Sequence, residues 1–393
     1  MELNEIKKQF YEVFGEGGDL RVFTSPGRVN LIGEHIDYCG GHVLPAALKM
    51  ATTLVVRKRD DDILRLKATD LDIVVETKIS EMESLKGKLK WGDYPIGVAI
   101  ELQKKGYDIV GCDLLFDDAV PHGGGLSSSA AEEVSSALCF ATLSNEKNGI
   151  KDSVNMIEMA LVSQAAEHNF IGVNCGIMDQ FASAMGKENH AIDLNCATLD
   201  YEHIPLKMDG CKLVITNTNV KHSLGSSAYN QRRQECEEGL SSLQKAMPDK
   251  KQLADISVDE FEKNKDLIES DIVRNRIKHV VYECDRVSQS AVALKKGDME
   301  LFGKLMNDSH RSLQFDYEVT CPELDFLANN AQKMDGVLGS RMTGAGFGGC
   351  TVSIIKDECV DKYIKEIGEA YLKEFGHEAT FFVTEIGDGG REI

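Results

Sequence analysis

Cys112-Asp113-Leu114-Leu115-Phe116, followed by Val120-Pro121-His122-Gly123-Gly124-Gly125-Leu126-Ser127-Ser128-Ser129-Ala130-Ala131, reads as a strand, a glycine loop and a helix start. The apolar run suits a buried strand, and Ala130, Val134, Ala137 and Leu138 recur at helical spacing between Ser127 and Leu143. Ser129 and Glu132 have capping-box spacing, and Glu132 and Glu133 fall in the positive first turn. Glycines let consecutive backbone N–H groups turn inward on a phosphate, beside the partial positive charge of a helix N-terminus. The three serine hydroxyls are potential Mg²⁺ ligands or phosphate donors. A serine-capped glycine turn with no ligand fits the same letters. The loop is not a Walker A motif, because the chain has no G-K-[ST], and not a nucleophile elbow, because G-x-S-x-G is absent.

Working outward, a second helix is expected from Ser153 to His168, and a strand over Cys211–Thr216. Helices are expected at roughly 272–296, 298–312 and 358–375, with strands at Cys350–Ile355 and Thr380–Thr384. Strands mixed with helices without regular βαβ spacing indicate an α+β fold. The poorest core-building stretch is Tyr201–Gly210, which divides the chain into residues 1–205 and 206–393. The second glycine cluster, Gly344-Ala345-Gly346-Phe347-Gly348-Gly349, formally matches G-x-G-x-x-G. A strand-like run follows it where a dinucleotide site needs a helix, so it reads as a tight loop bracing an active site.

The 393 residues carry 44 Lys+Arg against 64 Asp+Glu, a net charge of −20. That balance disfavours a protein that grips nucleic acid or an anionic membrane. No signal peptide and no apolar run long enough to span a bilayer are visible. Eleven cysteines without a C-x-x-C pair point to reduced thiols in a cytoplasm and away from a disulfide framework or zinc site.

Two further stretches carry chemistry. In Pro26-Gly27-Arg28-Val29-Asn30-Leu31-Ile32-Gly33-Glu34-His35-Ile36-Asp37-Tyr38, charged residues alternate with apolar anchors. Glu34, His35 and Asp37 make a good hydrogen-bonding set for a polyol. A solvated loop is the plainer reading, and metal ligation is disfavoured without a helical i, i+4 pair. In Gly172-Val173-Asn174-Cys175-Gly176-Ile177-Met178-Asp179-Gln180, Asp179 reads as a functional carboxylate, a helix cap or a satisfied buried group. Cys175 reads as a small core residue and not a nucleophile.

Together, residues 26–38, 123–131, 172–180 and Gly339–Cys350 resemble the galactokinase branch of the GHMP sugar and metabolite kinases, in the family's order and over nearly the whole chain. The chain departs from the galactokinase signature at Ile36 and Cys39, where the family usually has Thr and Asn. The resemblance implies a two-domain fold, with an N-terminal domain like ribosomal protein S5 domain 2 and a C-terminal ferredoxin-like domain. It implies ATP-dependent phosphorylation of the C1 hydroxyl of α-D-galactose, the entry step of the Leloir pathway, with Mg²⁺ as cofactor and galactose and ATP as partners. Asp179 then corresponds to the catalytic base and Arg28 to its neighbouring cation. Ser129 and Glu167 would hold Mg²⁺. Glu34, His35, Asp37, Gly176 and Tyr229 would ring the sugar, and Gly123, Gly124, Gly125, Leu126, Ser127, Ser128 and Ser129 would cradle ATP. Trp91, the only tryptophan, reads as an adenine neighbour or a core residue. Kinases of N-acetylgalactosamine, arabinose or galacturonate are the rival enzymes, and a sugar sensor with little catalysis is the rival outside enzymes.

Overall fold

The computed structural model describes residues 1–121, 124–220 and 225–393. In chain order the strands are β1 (Leu20–Asn30), β2 (His42–Val43), β3 (Pro45–Lys58), β4 (Ile63–Ala68), β5 (Val74–Lys78), β6 (Cys112–Asp118) and β7 (His190–Asn195). They continue as β8 (Tyr201–Pro205), β9 (Cys211–Asn217), β10 (Val337–Thr343), β11 (Cys350–Lys356), β12 (Thr380–Thr384) and β13 (Arg391–Glu392). The helices are α1 (Leu3–Phe14), α2 (Asp93–Lys104), α3 (Ser128–Lys147), α4 (Met156–Ala166), α5 (Met178–Met185) and α6 (Gly225–Leu243). After them come α7 (Val258–Asn264), α8 (Asp271–Lys296), α9 (Met299–Ser312), α10 (Pro322–Ala331) and α11 (Val360–Phe375).

The first sheet has the order β13-β1-β3-β6-β4-β5, and its β4–β6 pair is parallel. The second runs β10-β11-β9-β12, all antiparallel, and the third runs β2-β7-β8. This is the α+β arrangement expected from the pattern of elements.

Strand β6 reads as a continuous apolar run because both of its faces are covered. Leu114 and Phe116 join Leu54, Ile96, Leu138 and Met159 beneath α2, α3 and α4. Leu115 points the other way, onto Ile6, Phe10 and Phe14 of α1. Fully burying a side chain such as Phe10 stabilises the fold by about 1.5–3 kcal/mol. The second sheet follows the same two-residue period. Val214 and Ile355 pack on Tyr363 and Tyr371 of α11, while Leu213, Ile215, Val352 and Ile354 join the core that holds Val280 and Phe302. That core also contains Val29 of β1, Leu31 just after it and Phe181 of α5, so early and late elements share one interior.

The long late helices appear where the apolar spacing put them, and glycines at positive φ, Gly297 and Gly376, end two of them. Two expectations need correction. The capping box at Ser129 and Glu132 does not form: α3 begins at Ser128, Ser127 takes a left-handed φ of 61° with no side-chain cap, and Ser129 bonds elsewhere. The helix expected to reach from Ser153 to His168 is α4, capped by Asn155, which accepts from the backbone N–H of Ile157 and Glu158. Its end passes into a π-helical turn over Glu167–Ile171, a distortion often found at functional sites.

Candidate active site

The signature loop leaves β1 and is pinned from below. Gly33 donates its N–H to Glu283 Oε1 (3.1 Å), and Glu283 is itself held by Ser309 (2.6 Å) and Arg286 (2.6 Å). The next residue, Glu34, accepts from Asn30 Nδ2 (2.9 Å) and from the backbone N–H of Gly344 (2.8 Å). Buried Arg341 stands 3.4 Å from the same carboxylate. The second glycine cluster therefore joins β10 to β11 and braces the signature loop. Gly346 is required there: at φ 79° a Cβ would lie 2.0 Å from the Val319 carbonyl oxygen.

These contacts shape one wall of a cavity of about 500 Å³. Nine residues singled out from the sequence line it: Arg28, Glu34, His35, Asp37, Ser129, Glu167, Gly176, Asp179 and Tyr229. Asp179 sits in the first turn of α5. Arg28 grips it with both arms of its guanidinium, Nε to Oδ1 at 2.8 Å and Nη2 to Oδ2 at 2.6 Å. A third nitrogen, Nη1, donates to the Gly125 carbonyl (2.6 Å), which ties the pair to the glycine loop. Ser127 Oγ donates to Asp179 Oδ2 at 2.5 Å, a contact that the sequence does not signal. Leu126 is buried, and its carbonyl accepts the Arg28 backbone N–H. Gly124 lies in the turn before them, Ser128 opens α3, and Gly123 falls outside the described residues.

Both ring nitrogens of His35 have protein partners, Tyr38 Oη at 2.8 Å and the Ala345 carbonyl at 3.1 Å. A carbonyl only accepts, so the ring proton sits on Nε2. Burial, reinforced by neighbouring His279, lowers the His35 pKa to about 3, so the ring is neutral. Tyr229 packs against His35 and Tyr38 with ring centroids 5.5 and 5.4 Å away. Asp37 faces Gly176, where a Cβ would stand 1.9 Å from its Oδ2 and would force the carboxylate to shift. Burial, then the charges of Asp179 and Glu34, push the Asp37 pKa up to about 6.

On the other flank Ser129 Oγ donates to Glu167 Oε1 at 3.2 Å. Gln180 Nε2 lies 3.1 Å from Glu133 Oε2 and 3.5 Å from Glu167 Oε1. Burial raises both carboxyls above the usual range, helped by the charge of Glu167 at Glu133 and by that of Asp179 at Glu167. Among the described residues no three His, Cys, Asp or Glu side chains are grouped to hold a metal. The donor set nevertheless suits a cation that takes one or two carboxylates and completes its shell with phosphate oxygens. Ser129 and Glu167 offer hard oxygens where negative charge is crowded, and Glu133 Oε1 is buried without a partner. Glu133 and Gln180 escape a reading from sequence; their one signal is charge and amide among apolar helix neighbours.

The N-terminal turns of α3 separate this cavity from a second one of about 240 Å³. Ser129 faces the first, while Glu132 lines the second with Trp91, Phe116, Thr52, Asp70 and Asp118. Trp91 stacks edge-on to Phe116 at 5.7 Å, and its Nε1–H is buried without a partner.

A glycine loop that opens a helix beside an acidic cavity is the arrangement of a GHMP-type kinase. The family models agree: the GHMP kinases N terminal domain matches residues 93–187 and the GHMP kinases C terminal model matches 290–371. The galactokinase galactose-binding signature matches residues 8–58. The chain is 47% identical to the galactokinase of Bacillus subtilis (strain 168), over 99% of this chain and 98% of that one. It is 45% identical to that of Clostridium beijerinckii, over 100% and 99%. The chain belongs to the galactokinase family. Its structure superposes on that of Lactococcus lactis galactokinase complexed with galactose with a TM-score of 0.94, at 39% identity and full coverage of both chains. Methanococcus jannaschii mevalonate kinase shares the fold at 17% identity, with a TM-score of 0.66 over 95% of this chain and 100% of that one.

Proposed function

We propose that the chain transfers the γ-phosphoryl group of ATP to the C1 hydroxyl of α-D-galactose, yielding galactose 1-phosphate and ADP. The observation that carries this reading is the Asp179 carboxylate, gripped by Arg28 and Ser127 where the cavity meets the glycine loop and α3. Asp37, Glu34, Gly176 and Tyr229 bound the sugar, and His35 supports Tyr229 as a neutral ring. The glycine loop and the helix start at 123–129 receive the phosphates. The second cavity takes the base, with Trp91 as its aromatic wall.

In the reaction the C1 oxygen attacks the γ-phosphorus as the bond to the bridging oxygen of ADP breaks, and the hydroxyl proton passes to Asp179. Arg28 balances the carboxylate and the charge of the transferring group. When bound, Mg²⁺ neutralises phosphate charge, with Ser129 and Glu167 as its protein oxygens. We also assign residues 1–205 and 206–393 to the two domains of the family and place the reaction in the cytoplasm. All eleven cysteines are free thiols, which suits a reducing compartment.

The test is a coupled assay of ADP release with a panel of sugars that includes galactose, N-acetylgalactosamine, arabinose and galacturonate. Turnover with galactose is expected. Thermal stabilisation by galactose and ATP without any ADP release would instead make the chain a sensor.

Two further outcomes follow from the geometry. Asp37 accepts a sugar hydroxyl as a carboxylate, so galactose affinity should fall as pH drops through about 6. Calorimetric titration between pH 5 and 8 checks this, and a flat profile would remove Asp37 from the sugar site. Ser129→Ala should raise the Mg²⁺ concentration for half-maximal rate on the order of tenfold. An unchanged Mg²⁺ curve would take Ser129 out of the metal site.

A further inference from the structure

Behind the signature loop, a chain of hydrogen bonds leads from His35 to a pair of thiols that the reaction does not use. The Ala345 carbonyl only accepts, which places the ring proton of His35 on Nε2 and leaves Nδ1 to accept from Tyr38. With its proton committed there, the Tyr38 oxygen accepts from Tyr317 at 2.7 Å. Tyr317 in turn accepts from the Cys236 thiol at 3.2 Å, and Cys236 accepts from Cys39. One carbonyl thus directs every proton in the chain, and its far end is a dithiol. Cys39 and Cys236 are 7% and 3% exposed, and they line a cavity of about 100 Å³ together with the exposed Glu237 and Lys251. That volume admits a molecule a little larger than water. Cys39 is also a position at which the chain departs from the signature it otherwise resembles, so the pair is not part of the machinery that the motifs share.

We propose that Cys39 and Cys236 form an oxidisable dithiol, and that its closure to a disulfide by hydrogen peroxide loosens the hold of the site on its sugar. This rests on reading the signature loop as part of the sugar site. The bond between the thiols assigns their roles. The hydrogen bond from Cys39 lowers the Cys236 pKa against the cost of burial, and the same bond raises that of Cys39. Cys236 is therefore the thiolate that reacts first. Its sulfur attacks one peroxide oxygen, the O–O bond breaks, and the leaving hydroxide takes up the proton that Cys236 released. Cys39 then attacks the sulfenic sulfur of Cys236, the S–O bond breaks, and a second water leaves with the Cys39 proton. One peroxide is reduced to two waters, and two thiols become one disulfide. An S–S bond is about 2.05 Å long, so thiols in hydrogen-bonding contact must be drawn together to form it. Cys39 follows Asp37 closely, and Cys236 lies about two helical turns after Tyr229 on the same face of α6. Closure therefore pulls on two walls of the sugar site. It also removes the S–H that Tyr317 accepts, so the chain behind His35 loses its terminal donor.

The test compares the reduced protein with protein treated with hydrogen peroxide, before and after addition of dithiothreitol. Peptide mass mapping should find Cys39 joined to Cys236 after peroxide. Calorimetric titration should then show galactose binding weakened roughly tenfold or more, the scale of one misplaced hydrogen bond, with recovery in dithiothreitol. Cys39→Ser and Cys236→Ser each keep a hydroxyl donor in place of the thiol. Both variants should bind galactose like the reduced unmodified protein, with or without peroxide. Absence of the linked peptide overturns the proposal, as does a linked protein whose galactose affinity is unchanged or higher. A loss of affinity that persists in both serine variants overturns it too, because another thiol would then be responsible. Failure of the galactose reading looks different: the reduced protein would bind no galactose, while the linked peptide would still appear on oxidation.

Discussion

Replacing Asp179 by Asn is expected to cut turnover with galactose by roughly 10²–10⁴-fold, the usual contribution of a positioned general base, while galactose binding weakens only a few-fold. Both Asp179 oxygens are engaged, Oδ1 by Arg28 and Oδ2 by Arg28 and Ser127. Asparagine keeps the shape and one acceptor, but its amide N–H₂ must face one of these donors and cannot take a proton from the sugar. The measurement pairs steady-state kcat with calorimetric galactose binding on the same preparation. Losses of equal size in the two would make Asp179 a binding residue and would move the proton acceptor elsewhere.

The second large effect is on stability. Glu283 is fully buried, and its carboxylate serves Arg286, Ser309 and the backbone N–H of Gly33. Glu283→Leu leaves the largely buried Arg286 without its counter-charge and should cost about 3–5 kcal/mol in urea unfolding. Glu283→Leu combined with Arg286→Leu should recover part of that loss, since no charge is then stranded. A single-variant cost below about 1 kcal/mol would show that the network adds little beyond packing. The pH dependence has a definite sign. Burial works against the Glu283 charge, yet Arg286 and Arg341 hold its pKa down to about 2, below the ordinary 4.5. Its contribution is therefore complete above pH 4.5 and lost as pH falls from there toward 2.

What the sequence makes legible follows local physics. Helices α8, α9 and α11 carry long amphipathic repeats, and β11 is a compact apolar run, so each lies within a residue or two of its expected place. Tyr201–Gly210 reads as poor core because β8 buries only Ile204 within its span. The capping box at Ser129 fails for a reason outside the local sequence, since the hydroxyl bonds Glu167, 38 residues away. The same holds within the site. The residue types at Arg28, Asp179 and the signature loop announce charge chemistry, and the motifs group them. That Ser127 bonds Asp179, that Glu133 and Gln180 flank Glu167, and that Glu132 turns into a different cavity from Ser129 all depend on how α3, α4 and α5 pack.

The anchors of the signature loop also bear on how the chain folds. Gly33 meets Glu283 across 250 residues, Glu34 meets Gly344 across 310, and the Asn30 carbonyl meets Arg341 across 311. The entropy of closing such loops opposes folding until the distant contacts form, so structure held by non-local contacts develops slowly. Hairpins such as β4–β5 and helices such as α8 need only neighbours in sequence, whereas the signature loop acquires its shape once both halves of the chain have docked. Refolding of this protein should therefore regain helical signal well before it regains the ability to hold a sugar.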